Sequence, residues 1–173
     1  MEILAELAKL IIPAAIVLYG MYLTVKSFTN KELERSMVDL RMKNRDIILP
    51  IRLQAYERIT LFLERISPNN LVMRLNDSSF DAKQFQHILI SEIRNEYNHN
   101  LSQQVYMTDN AWKLVVNVKE EITAVINQAG HALEDDAKSI HLAKKIFELM
   151  SEKEIDPVST ALSEIKDEIR QVF

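Results

Sequence analysis

The first 25 residues constrain this chain more than any other segment. From Leu10 to Val25 the sequence LIIPAAIVLYGMYLTV carries no charge, and past Lys9 and Glu6 the apolar stretch reaches back to Ile3. A helix over Ile3–Val25 is about 35 Å long at about 1.5 Å per residue, against a bilayer core of about 30 Å. Leu10, Ile11, Ile12, Ile16, Val17, Leu18, Leu23 and Val25 together favour insertion by about 2.5–5 kcal/mol. A lysine at the bilayer centre costs about 3 kcal/mol and would erase much of this. Lys9 and Glu6 instead lie near one end, where a long side chain reaches the interface, and their i, i+3 spacing lets them pair. Tyr19 and Tyr22 approach the other end, and Pro13 is tolerated better in a membrane span than in a soluble helix. Residues 1–25 therefore read as a transmembrane anchor. Two alternatives stay open. A cleaved secretory signal fits poorly with the acidic start MEILAE and the lack of an A-x-A site. A buried core helix is the other.

Charge beside the segment sets orientation. After it come Lys26, Lys31, Arg35, Arg41, Lys43 and Arg45; before it the only base is Lys9, with Glu2 and Glu6. The positive-inside rule then places the C-terminal part in the cytoplasm and the N-terminus outside, in a single-pass protein of the inner membrane. The bases also suit anionic lipid. Interleaved with Glu32, Glu34, Asp39 and Asp46, they equally suit a solvated helix face.

Two Gly and four Pro in 173 residues leave little material for hairpins or Gly-rich loops. The expected fold is all-α: an N-terminal transmembrane helix continuing into a small antiparallel helical bundle. Three regions are expected, the anchor over 1–25, a juxtamembrane amphipathic helix over 26–49 and a helical cytoplasmic domain over 50–173. In the second, Leu33, Met37, Leu40, Asn44 and Ile47 repeat in steps of four and three, a heptad seam with a polar residue on it. The seam suits a parallel homodimer, or an amphipathic helix packed on its own domain. Pro50 is expected to stop or kink this helix.

Beyond Pro50 the apolar spacing predicts a helix over 50–66 with a stripe of Ile51, Ala55, Ile59, Phe62 and Ile66. Ser67-Pro68-Asn69-Asn70 reads as a turn, Leu71–Leu75 as a short helical piece or loop, and Asn76–Ser79 as a break. A helix over about 80–104 follows, striped by Phe85, Leu89, Ile93, Tyr97 and Leu101. Another starts at Asp109, capped by Thr108, with Val115, Val118, Ile122, Val125 and Ala129 inward. A fifth spans about 139–151, using Ile140, Ala143, Phe147 and Met150. The last is capped by Asp156, with Pro157 in its first turn.

The sequence holds little chemistry. With no cysteine, disulfides, thiolate metal sites and cysteine catalysis are excluded. Gly20 and Gly130 are the only glycines, so no phosphate loop, dinucleotide fingerprint or G-x-S-x-G elbow exists. Residues 66–173 carry an acidic excess of about six charges without a basic, aromatic-studded face, so no nucleic-acid partner is expected. The best metal-like fragment is Glu92-x-x-x-Glu96-x-x-His99, an E-x-x-H unit with a second Glu one turn earlier. Di-iron bundles use two such units. His87, His131 and His141 lack a Glu three residues before them, so the second half is missing and no cofactor is expected. Trp112 reads as a core anchor, and the polar run His99–Trp112 as a helix corner held by Asn100, Gln103 and Gln104, or else as a partner-docking corner.

The stretch Glu96-Tyr-Asn-His-Asn-Leu-Ser-Gln-Gln-Val-Tyr106, with Ala111-Trp112, Val118-Lys-Glu-Glu-Ile122 and Leu142-Ala-Lys-Lys-Ile-Phe147, resembles a family of uncharacterised bacterial proteins, a domain of unknown function. The resemblance covers nearly the whole chain. It implies an N-terminal transmembrane helix and a helical cytoplasmic domain, and carries over no catalytic residue. The expected role is a membrane-anchored scaffold or adaptor, not an enzyme, whose partners are the lipid bilayer, an unidentified protein and a second copy of itself. A stalk-like subunit similar in outline to the b subunit of rotary ATP synthases is the alternative. The breaks at Pro50, Pro68 and Asp156-Pro157 fit it poorly. A carboxylate–histidine metal enzyme stands third.

Overall fold

The computed structural model describes residues 2–134 and 136–172, with side chains described for 11–13, 15–134 and 136–171. Six α-helices follow one another: α1 (Glu2–Ile66), α2 (Pro68–Leu75), α3 (Ala82–Asn100), α4 (Asp109–His131), α5 (Ser139–Ser151) and α6 (Pro157–Val172), with a 3-10 segment over Leu101–Tyr106. The fold is all-α, a long apolar N-terminal helix followed by a helical bundle, and among the described residues there is no strand. Two compact units divide at Leu49 and Pro50.

In the unit Met1–Leu49, every described side chain from Ile11 to Ile48 is exposed. Ile11, Ile12, Ile16, Val17, Leu18, Leu23 and Val25 are bare, whereas a core helix would bury them. Leu10 has its side chain outside the described residues, as do Glu6 and Lys9. The hydroxyls of Thr24 and Thr29 donate to the carbonyls of Gly20 and Val25 at 2.8 and 2.9 Å. This back-bonding leaves neither hydroxyl in need of water. Lys26 Nζ lies 5.8 Å from the Tyr22 ring centroid, so the apolar run ends in an aromatic–cation pair of the kind found at membrane interfaces. Among the described residues one helix is long and apolar enough to cross a membrane.

The unit Pro50–Phe173 carries its own core. Ile59, Phe62, Leu63 and Ile66 of α1 are fully buried with Leu71 of α2, Phe85, Leu89 and Ile93 of α3, Ile122 and Ile126 of α4, and Leu142 and Ile146 of α5. α3 packs on α4 and α5, α4 on α5 and α6, and α2 on α3 and α5. Asp81 caps α3 through a reciprocal box: its carboxylate accepts from Gln84 N at 2.7 Å while Gln84 Oε1 accepts from Asp81 N at 3.2 Å. Thr108 caps α4 by accepting from Ala111 N, and Asp156 caps α6 by accepting from Val158 and Ser159 N. α5 begins differently: His141 Nδ1 accepts from Lys138 N. The starts of α3 and α5 are pinned together by Ala82 N to Ala137 O at 2.8 Å and Ser139 N to Phe80 O at 3.1 Å. Buried Ser139 donates from its hydroxyl to Asp77 O.

Several expectations change. Pro50 does not end the first helix; α1 runs through it to Ile66. Proline costs the carbonyl one turn earlier its donor, but Asp46 and Pro50 are both exposed, so that carbonyl can turn to water. Ser67–Asn70 is no open turn. Pro68 is the first residue of α2, where its missing N–H costs nothing, and Ser67 alone separates the helices. α3 stops at Asn100 and tightens into the 3-10 segment, which brings Leu101 out of the stripe and exposes it. Ile51 is exposed as well. In α5 the buried face is Ser139, Leu142, Ala143 and Ile146, so Ile140 and Phe147 face outward. Both phases offer apolar residues at helical spacing, and the bridge at Ser139 selects one. Gly130 lies inside α4 against the Gln86 amide.

Candidate functional site

The seam residues Leu33, Met37, Leu40 and Ile47 are each more than half exposed, and Asn44 is exposed among them. They lie along one side of a helix that, among the described residues, buries none of them.

The E-x-x-H face of α3 meets arginines. Glu96 receives Arg65 Nη2 at 2.6 Å, and Glu92 lies 4.0 Å from the same guanidinium while accepting from Arg74 Nη1 at 2.6 Å. His99 Nε2 sits 3.3 Å from Arg58 Nη2. Because a guanidinium only donates, that nitrogen is the acceptor. Glu92, Glu96 and His99 thus share a face as their spacing predicts, and each is engaged by a cation. Among the described residues no group of three or more His, Asp or Glu is placed to hold a metal ion. Sequence reasoning missed Arg58, Arg65 and Arg74. They come from α1 and α2, and no periodicity within α3 points to them.

Arg58, Arg65, Glu96 and His99 border an open groove of about 490 Å³ between α1 and α3. One ridge is Arg58, Leu61, Phe62 and Arg65; the other is Asn95, Glu96, His99 and Asn100. Phe62 is buried and forms floor, while Leu61 is 55% exposed in the middle of it. A second groove of about 470 Å³ lies between α3 and α4, where Lys119 Nζ stands 4.8 Å over the Tyr97 ring and Arg94 is at the edge. Tyr97 in turn packs between Phe62 and Trp112, at centroid distances of 6.1 and 5.7 Å, so half-buried Trp112 anchors that wall. Burial, with the Glu120 charge behind it, raises the Tyr97 pKa.

The polar corner is tied from outside its own segment. Asn100 donates to Glu96 O within its helix, and Gln103 donates to its neighbour Ser102. The cross-links come from Arg52 and Glu168. Arg52 Nε donates to Tyr106 O at 3.1 Å, and its Nη2 to Tyr56 Oη at 3.4 Å. Tyr56 donates its hydroxyl to Glu168 Oε1, and Thr108 donates to Glu168 Oε2 at 2.9 Å. Burial first, and the Glu168 carboxylate second, push the Tyr56 pKa above its ordinary value of 10.0. The corner leaves Val105 largely bare.

No curated protein and no solved structure matches the chain. A family described as a family of unknown function (DUF7935) matches residues 2–172. Nearly the whole chain, from the apolar helix to the end of α6, is therefore one family unit, and the protein belongs to DUF7935.

Proposed function

We propose that this protein is a membrane-tethered helical adaptor: residues 1–25 span the cytoplasmic membrane once, with the N-terminus outside, and the bundle over 50–173 offers helical surfaces to a protein partner in the cytoplasm. The observation that carries this is the pairing of an exposed, charge-free run over 11–25 with a separate unit that closes its own core. A helix with no buried side chain gains nothing from water, whereas lipid solvates it. Tethering raises the bundle's effective concentration for a neighbour in the same membrane. The seam sets a parallel homodimer, with Met37 and Asn44 at a positions and Leu33, Leu40 and Ile47 at d. Asn44 pairs across the axis and fixes the register. No catalytic role is assigned.

The chain has no cysteine, so accessibility of single introduced ones tests the topology. In intact spheroplasts a membrane-impermeant maleimide labels the Glu2→Cys variant, and Ser163→Cys reacts only after lysis. Labelling of Ser163→Cys in intact spheroplasts overturns the orientation. The stalk-subunit reading keeps one supporting observation, the continuity of α1 through Pro50. It predicts stoichiometric co-purification with a larger membrane complex from mild detergent.

A further inference from the structure

We infer that the groove between α1 and α3 is the docking site for an acidic amphipathic helix of the protein partner, gripped by Arg58 and Arg65 over an apolar floor of Leu61 and Phe62. This rests on the adaptor reading and names the chemistry of its partner. The groove holds an imbalance. Among the described residues the one hydrogen-bond partner of Arg58 is the ring nitrogen His99 Nε2 at 3.3 Å, which brings no negative charge to the guanidinium. Arg65 engages Glu96 and Glu92 through Nη2 alone, leaving further N–H groups of its fork free. Both neighbouring carboxylates, Glu96 and Glu92, face Arg65, so among the described residues Arg58 is the groove's guanidinium with no carboxylate beside it. Asn95 lines it with an amide suited to peptide polar groups. Leu61, 55% exposed between the two arginines, is an apolar contact awaiting cover.

Geometry favours a helix over a small anion. Arg58 and Arg65 are seven residues apart on one helix, about 10 Å along its axis. Their guanidinium ends reach His99 and Glu96, one turn apart on α3, with Leu61 exposed between the two arginines, so the occupant must present an apolar face as well as acid, which a lone phosphate or carboxylate does not. A helix laid in the groove repeats the same spacing: carboxylates at i and i+7 meet the arginines, while apolar residues at i+3 and i+4 cover Leu61.

The test uses the full chain in detergent micelles. The probe is a fluorescein-labelled helical peptide with Glu at i and i+7 and Leu at i+3 and i+4, compared by anisotropy with its Lys counterpart. The Glu peptide should bind, and Arg58→Glu should weaken it by about tenfold, the worth of one charge-assisted hydrogen bond, while strengthening the Lys peptide. Arg94→Glu, on α3 at the other groove, should change neither, and unchanged circular dichroism shows that the variants fold. Equal binding of the two peptides, no binding of the Glu peptide, or equal loss in Arg94→Glu overturns the proposal. These outcomes do not depend on membrane topology, so they leave the maleimide result to judge the adaptor reading separately.

Discussion

Glu168 holds three elements with two oxygens: from α6 it accepts Tyr56 of α1 and the Thr108 hydroxyl that caps α4. Tyr56→Phe keeps the ring and removes one donor from a half-buried carboxylate, which should cost about 1–2 kcal/mol, read as a lower Tm. The same residue sets an alkaline dependence. Its pKa is raised in the fold, so its contribution is complete below the ordinary value of 10.0 and is lost as pH climbs through the folded value. The melting temperature should therefore fall less steeply above pH 10 in Tyr56→Phe than in the native chain. Tyr97, also raised, contributes to the slope that remains. An identical slope in both proteins would remove Tyr56 from this role. None of the Tyr56–Glu168 link was legible in the sequence, because its partners are 112 residues apart. By contrast, Thr108 and Asp156 were legible as caps, since a cap is a local device. The Glu92, Glu96 and His99 face was legible as a face. That it meets Arg58, Arg65 and Arg74 was not, because these come from α1 and α2 and no spacing within α3 points to them.

At the level of single elements, α1 and α5 show where pattern reading stops. Pro50 carries the right signal for a break, yet α1 continues, because one exposed missing hydrogen bond is a smaller loss than unwinding a helix buried on its next turns at Ala55, Tyr56 and Ile59. Pro50→Ala should restore a donor to the Asp46 carbonyl and slow amide exchange over residues 46–54, measured by hydrogen–deuterium exchange; faster exchange there would contradict the continuous helix. Asn44→Leu removes the polar seam position and should change oligomeric order or mix it. Unchanged sedimentation of the solubilised variant would count against the seam. The capping box of α3 gives a third case. Asp81→Ala should cost about 1 kcal/mol through the lost Gln84 N–H bond. The span of α5 follows from its spacing, but its face does so only in part: Ala143 and Met150 turn to the core as expected, whereas Leu142 and Ile146 take the places of Ile140 and Phe147, a choice that only the tertiary bridge from Ser139 to Phe80 and Asp77 decides.

For the whole molecule, the helical class and most element starts followed from scarce Gly and Pro, caps and 3.6-residue stripes. The surfaces that carry the functional proposals required the fold, since the groove exists only where α1 and α3 come together. What joins the two scales is the solvent of the first helix. Its described apolar side chains are bare, and on the proposed reading lipid tails cover them. The decisive measurement is flotation of the full-length chain on a density gradient after alkaline carbonate treatment of membranes from expressing cells. The chain should rise with the lipid fraction and leave it only with detergent. Recovery in the soluble fraction, with the polypeptide intact, would contradict the membrane-spanning helix and the tethering built on it.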